Sequence, residues 1–169
     1  RVDYEELPFV VDPLEAVRQH SDAAGAPSGY HRGDIEAGFA EADVLVERTY
    51  TTRAALHNCL ETHGSVALWE GAQLTVWDST QHVYGVRSGL AAALDLPLTG
   101  VRVIKRYIGG GFGSKTNAGI YAVCAALMSR KTGRPVKIML DRREEDLVAG
   151  NRPPAVIRVR LGARRDGKL

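Results

Sequence analysis

The stretch that most restricts this chain is Gly109-Gly110-Gly111-Phe112-Gly113-Ser114-Lys115. Four glycines within five residues open backbone conformations that cost other residues about 1–2 kcal/mol each. They also remove side chains, so consecutive amide groups can come up against a ligand. The run falls between a strand expected over residues 101–106 and a helix expected over residues 117–131. A helix start adds unpaired N–H groups and the positive end of its dipole, so a ligand carrying oxyanions is the natural guest. The plainer alternative is a surface loop that merely needs freedom. Two nucleotide motifs each fail by one residue. A Walker loop starting at Gly109 would need glycine where Ser114 precedes Lys115-Thr116. A dinucleotide fingerprint starting there matches Gly111 but meets Ser114 at its third glycine. The loop suits a phosphate-bearing cofactor and not a standard nucleotide fold.

The flanking pattern sets the fold class. Asp12-Pro13 can cap and start a short helix with Leu14 and Val17 on its apolar edge. Residues 21–29 read as loop, and residues 34–40 as one or two further helical turns. From Ala42 the chain turns β-branched. Residues 64–69 and 74–77 flank Glu70-Gly71-Ala72-Gln73, a hairpin in which Gly71 supplies positive φ. Apolar residues at Val83, Val86, Leu90, Ala93 and Leu94 have helical spacing and stop at Pro97. A strand at 136–140, a capped helix at 141–147 and an alternating strand at 155–161 follow. The order β-β-β-α-β-α-β-α-β calls for an α+β fold of two layers, a mixed β-sheet with helices packed on one face. Residues 1–41 are read as an acidic linker or leader and 42–169 as the domain. The start at Arg1 and the turn-like Asp166-Gly167-Lys168-Leu169 suggest a piece of a longer polypeptide.

Other clusters carry less. His57, Glu61 and His63 lack the helical two-His arrangement of a zinc protease, so bonds to backbone are the expected role. Ser79 or Thr80 is expected to cap the helix that follows. Gln81 is a neutral amide at that helix start, able both to donate and to accept. The run Arg142 to Asp146 reads as an exposed helical face. Arg158 and Arg160 are expected on a solvated side of the last strand. Cys124, on an apolar helix, is expected to be inert, and two cysteines cannot form a disulfide framework.

Charge narrows the partners. Net charge is only +2, against a dedicated nucleic-acid binder. Residues 1–50 hold 11 acids and 4 bases, whereas 51–169 hold 9 acids and 18 bases, so the leader could lie across basic surface. The longest apolar stretch, residues 118–128, is about half of what a membrane crossing needs. A cytoplasmic protein with reduced thiols is expected.

Taken together, several stretches resemble the molybdenum-binding large subunit of the xanthine dehydrogenase/aldehyde oxidase/carbon monoxide dehydrogenase family. They are His57-Asn58-Cys59-Leu60-Glu61-Thr62-His63-Gly64-Ser65-Val66-Ala67, Ser79-Thr80-Gln81, the glycine run with its Val-Arg-Val strand, and Arg134-Pro135-Val136-Lys137 with Asp141-Arg142. The likeness covers most of residues 40–169. It implies a molybdenum cofactor-binding domain, with molybdopterin in its cytosine dinucleotide form holding the metal through a dithiolene, so that no residue of the chain ligates molybdenum directly. It implies that Gln81 approaches an oxo ligand of the metal, that Gly110, Gly111, Phe112 and Gly113 contact the ligand sphere and pterin, and that Phe112 packs near the substrate channel. The reaction implied is hydroxylation of an aldehyde, an N-heterocycle or a similar small molecule, with water as oxygen source. Electrons would leave through iron–sulfur clusters and FAD on other domains or subunits. The family's general-base glutamate lies downstream of Leu169, so no catalytic residue is expected here and the fragment alone is expected to be inactive. Purine-oxidising relatives carry glutamate directly after the loop lysine, where this chain has Thr116, which argues against a purine. A reading from a different class is a non-catalytic interaction module whose loop binds phosphate or another anion.

Overall fold

The structure is a computed structural model that describes residues 3–19 and 29–169. The elements follow in the order α1 (Pro13–Gln19), α2 (Ile35–Ala40), β1 (Val44–Thr52), β2 (Gly64–Glu70), β3 (Gln73–Asp78) and α3 (Val83–Ala93). A 3-10 turn (Leu98–Gly100) then leads into β4 (Val101–Ile104), α4 (Ile120–Thr132), β5 (Val136–Met139), α5 (Arg142–Val148) and β6 (Ala155–Ala163). From β1 onward this is the expected alternation of a mixed α+β fold. The chain divides into two compact units, one of residues 55–152 and one of residues 1–54 with 153–169.

The first of these units holds a four-stranded sheet in the order β4-β3-β2-β5. The hairpin β2–β3 turns on Gly71 at φ +60°, as its sequence requires. β4 adds parallel to β3 and β5 adds antiparallel to β2. α3 packs on β4, while α4 packs on β2 and β5. Alternation places Ala67, Leu74, Val76 and Val101 on the covered face, against Val86 and Leu90 of α3 and Tyr121, Ala122, Ala125 and Ala126 of α4. Each fully buried Val or Leu contributes about 1.5–3 kcal/mol, so this layer is the main source of stability. The alanines of α4 let it lie close on the sheet, and Trp69 closes the edge by donating to the Ala126 carbonyl at 2.9 Å.

Two boundaries beside the glycine run differ from expectation. β4 stops at Ile104 rather than 106, because its pairing with β3 runs only from Leu74 to Trp77. α4 begins at Ile120, with Gly119 as N-cap, instead of at Asn117. The Lys115 carbonyl in this stretch accepts from the Gln81 amide and the Thr80 hydroxyl. The glycine run is therefore separated from the helix start by residues 114–119, and the helix dipole is not part of the loop itself.

The second unit is built on an antiparallel ribbon, β1 with β6, in register from Val44↔Ala163 to Thr52↔Ala155. Arg158 and Arg160 are exposed on it, and the Arg160 guanidinium sits 4.1 Å from the centre of the Phe39 ring of α2. Two acids engage residues near the chain end: Glu41 pairs with Arg164, and Asp43 accepts from the Arg165 amide. Asp12 caps α1 through bonds from the Leu14 and Glu15 amides, and Asp34 caps α2 through the Ala37 amide. The loop expected at residues 21–29 lies, except for Gly29, outside the described residues. No helix among the described residues is long and apolar enough to cross a membrane.

Candidate functional site

The glycine run and Ser79-Thr80-Gln81, 28 residues apart at their nearest ends in the chain, meet where β3 and β4 end side by side. The Gln81 amide donates to the Lys115 carbonyl at 2.7 Å. The Gln81 side-chain oxygen accepts from the Gly113 amide at 2.8 Å and, more weakly, from the Lys115 amide at 3.4 Å. With its oxygen engaged, Gln81 keeps its NH2 group as a donor with no acceptor among the described residues.

The loop backbone is bent hard. Gly110, Phe112 and Gly113 sit at φ +98°, +51° and +99°. Glycine takes such values freely, but Phe112 is strained, and its side chain is 73% exposed. The bend closes on itself through a bond from the Ser114 amide to the Gly111 carbonyl at 2.9 Å. It leaves the amides of Gly110, Gly111 and Phe112 without an acceptor among the described residues. Three successive N–H groups without an acceptor are a donor set suited to oxyanions or metal-bound oxygen. A Cβ at Gly111 would lie 2.3 Å from the Gln81 oxygen, so only glycine leaves Gln81 in this position.

Behind the loop is a polar cluster. Lys115, fully buried, gives its ammonium to the Glu61 carbonyl at 2.8 Å, the Ser79 hydroxyl at 2.8 Å and the Glu61 carboxylate at 3.2 Å. The same carboxylate oxygen, Oε2, accepts from the Gly109 amide and the Ser79 hydroxyl, both at 2.6 Å. Burial pushes the Glu61 carboxyl up, but Gly109, Ser79 and Lys115 together hold it below its ordinary range. Deeper, His63 is fixed by Glu145, which accepts from its backbone amide at 2.8 Å and contacts Nδ1 at 2.9 Å. Burial works to raise the Glu145 carboxyl, yet the His63 bonds bring it below the ordinary value. Asp78, bonded by the Ser65 hydroxyl, is pushed up by its burial, and Tyr121 is pushed up for the same reason. A cavity of about 300 Å³ opens on the uncovered sheet face beside Glu61 and Asp78, floored by Val66, Trp77 and Ile104. The glycine run does not line it.

Two readings need correction. Neither Ser79 nor Thr80 caps α3 in the usual way. His82 is the N-cap without a side-chain bond, the Thr80 hydroxyl accepts from the His82 amide, and Ser79 serves the Lys115 cluster. The charged helix α5 is not an exposed face throughout: Glu145 is buried against His63, and Arg142 donates to the Cys59 and Leu60 carbonyls. Its start is capped as expected, and the cap is a capping box of Asp141 with Glu144. The Glu61 side chain does bond to backbone, as its loop context suggested, whereas the His63 ring bonds to the Glu145 carboxylate instead. Among the described residues, no group of three or more His, Cys, Asp or Glu side chains could hold a metal ion.

Comparison with known proteins falls on one group. Residues 19–169 match the family model described as molybdopterin cofactor-binding domain. The aldehyde oxidoreductase molybdenum-binding subunit PaoC of Escherichia coli is 41% identical over 137 residues, covering 81% of this chain and 19% of that protein. The nicotinate dehydrogenase large molybdopterin subunit of Eubacterium barkeri is 33% identical over 175 residues, covering 99% and 41%. Among solved structures, the CO dehydrogenase of Oligotropha carboxidovorans superposes with a TM-score of 0.77 at 30% identity, over 98% of this chain and 24% of that one. The chain thus spans between 19% and 41% of the length of these relatives.

Proposed function

The chain belongs to the molybdopterin cofactor-binding domain family, and from that premise we propose that it supplies part of the molybdopterin site of a longer molybdenum oxidoreductase. The residues fit such a group. Gly110, Gly111 and Phe112 offer bare amides, Gly113 holds the Gln81 oxygen, and Gln81 offers a neutral side-chain NH2. The chain would hold the cofactor through these donors, with no direct ligand to the metal. When bound, the cofactor supplies the redox centre for hydroxylating a carbon with oxygen drawn from water. The chain's own contribution is to orient the cofactor's oxygen-rich face without adding charge, and to keep water-competing side chains away from it.

The observation that carries this reading is the run of three acceptor-free amides over a gap too small for a Cβ at Gly111. Finer points rest on likeness alone. They are the cytosine dinucleotide form of the cofactor, a substrate that is an aldehyde or an N-heterocycle, iron–sulfur and FAD partners on other domains or subunits, and residues 1–41 as a linker. Thr116 after the loop lysine favours a non-purine. The fragment by itself should not turn over substrate. The test is Gly111→Val in the longer protein. The Val side chain would displace Gln81, which is a flexible neighbour, so the fold should survive while bound molybdenum and pterin fall at least tenfold. Undiminished molybdenum in that variant refutes the reading, and phosphate found in place of pterin in the wild type would favour a plain anion-binding module.

A further inference from the structure

Glu61 stands outside the donor set just assigned, yet it touches both ends of the glycine run. Its Oε2 accepts from the Gly109 amide, where the run begins, and from the Lys115 ammonium, where it ends. Ser79, two residues before Gln81, donates to that oxygen and also receives Lys115. The main chain repeats the link, since the Glu61 amide donates to the Gly109 carbonyl at 3.2 Å. A Cβ on Gly109 would lie 2.5 Å from that of Glu61, so the approach requires glycine there. Lys115 is double-ended. Its ammonium ties the Glu61 segment and Ser79, and its carbonyl holds Thr80 and Gln81.

We propose that Glu61 is the positioning residue of the site, acting through Gly109, Lys115 and Ser79 to lock the loop and Gln81 into one rigid cradle. A loop of mostly glycine has the largest conformational entropy to lose, so it keeps one shape only if something outside the loop holds both of its ends. A single carboxylate oxygen does so with three charge-assisted bonds, and it balances a lysine whose side chain is wholly buried. That the cradle serves a cofactor rests on the function proposed above. That Glu61 fixes its shape does not.

The two parts are separable by experiment on the full-length protein purified with its partners. Amide hydrogen exchange in peptides spanning residues 57–62 and 108–116 reads the loop directly, and molybdenum and pterin per polypeptide read the cofactor. Glu61→Ala should speed exchange at Gly109 and across Gly113–Lys115 at least tenfold, with helix peptides from 120–132 unchanged, and should lower molybdenum and pterin at least fivefold. Glu61→Ala with Lys115→Met removes the uncompensated buried charge. It should recover melting temperature but neither the Gly109 protection nor the cofactor. Should Glu61→Ala not fold, Ser79→Ala deletes only one hydroxyl of the cluster and should shift exchange and cofactor content in the same direction. Unchanged loop exchange overturns the proposal. So does faster exchange with full cofactor content, and so does recovery of protection and cofactor in the double variant, which would make Glu61 a mere counter-charge. Absence of molybdenum and pterin from the wild type would refute the functional reading alone, and Gly109 exchange would still decide the positioning role.

Discussion

Glu145→Ala offers the sharpest check on how the interior behind the loop is held. The Glu145 side chain is 3% exposed and carries two bonds to His63, at the backbone amide and at Nδ1. Truncation leaves a buried N–H without an acceptor and a buried imidazole without its partner. Breaking a buried hydrogen-bonded pair of this kind costs about 3–5 kcal/mol. For a chain of this size each kcal/mol moves Tm by about 2–4 °C, so the melting point should fall by about 6–20 °C. Glu145→Gln keeps one acceptor oxygen and should fall between. The pH dependence has a definite sign. The folded-state carboxyl lies below its ordinary value of 4.5, so its contribution is fully present above that value and is lost as pH falls through the lowered folded one. The gap between wild type and Glu145→Ala should therefore be constant near neutrality and close progressively below pH 4.5. Thermal melts by circular dichroism from pH 7 downward decide it. A neutral-pH difference under about 2 °C, or a gap that widens on acidification, refutes the reasoning.

Asp78 predicts the opposite slope. Burial raises its carboxyl above the ordinary 3.8, so its favourable contribution is present below that value and lost as pH rises through the folded one. Asp78→Asn should therefore be more stable than wild type at pH 7 and equal to it near pH 3.8, as read by urea unfolding at both values. Leu90→Ala, at a fully buried position under the sheet, should cost about 2–5 kcal/mol in the same assay without altering loop hydrogen exchange.

Much of this was legible beforehand because it rests on local rules. The Gly71 hairpin, the α3 periodicity and the capped start of the helix at Asp141 are each decided by residues within a few positions of one another, and each stands where the pattern put it. The roles of Ser79, Thr80 and Arg142 were misread for one reason. Each side chain has a local default, cap or solvated charge, and a tertiary partner outbid it: Lys115 for Ser79 and Thr80, the Cys59 and Leu60 carbonyls for Arg142. The Glu61–Lys115 pairing spans 54 residues, and no spacing rule announces it.

Amino-acid order alone determined that the chain would alternate strands and helices and expose a side-chain-free backbone between β4 and α4, because periodicity and glycine content act locally. Only the folded structure decided which amides stay free and which are tied down. That outcome depends on where Gln81, Glu61 and Ser79 land once the sheet has assembled, and donor–acceptor distances near 3 Å are set by packing rather than by position in the chain.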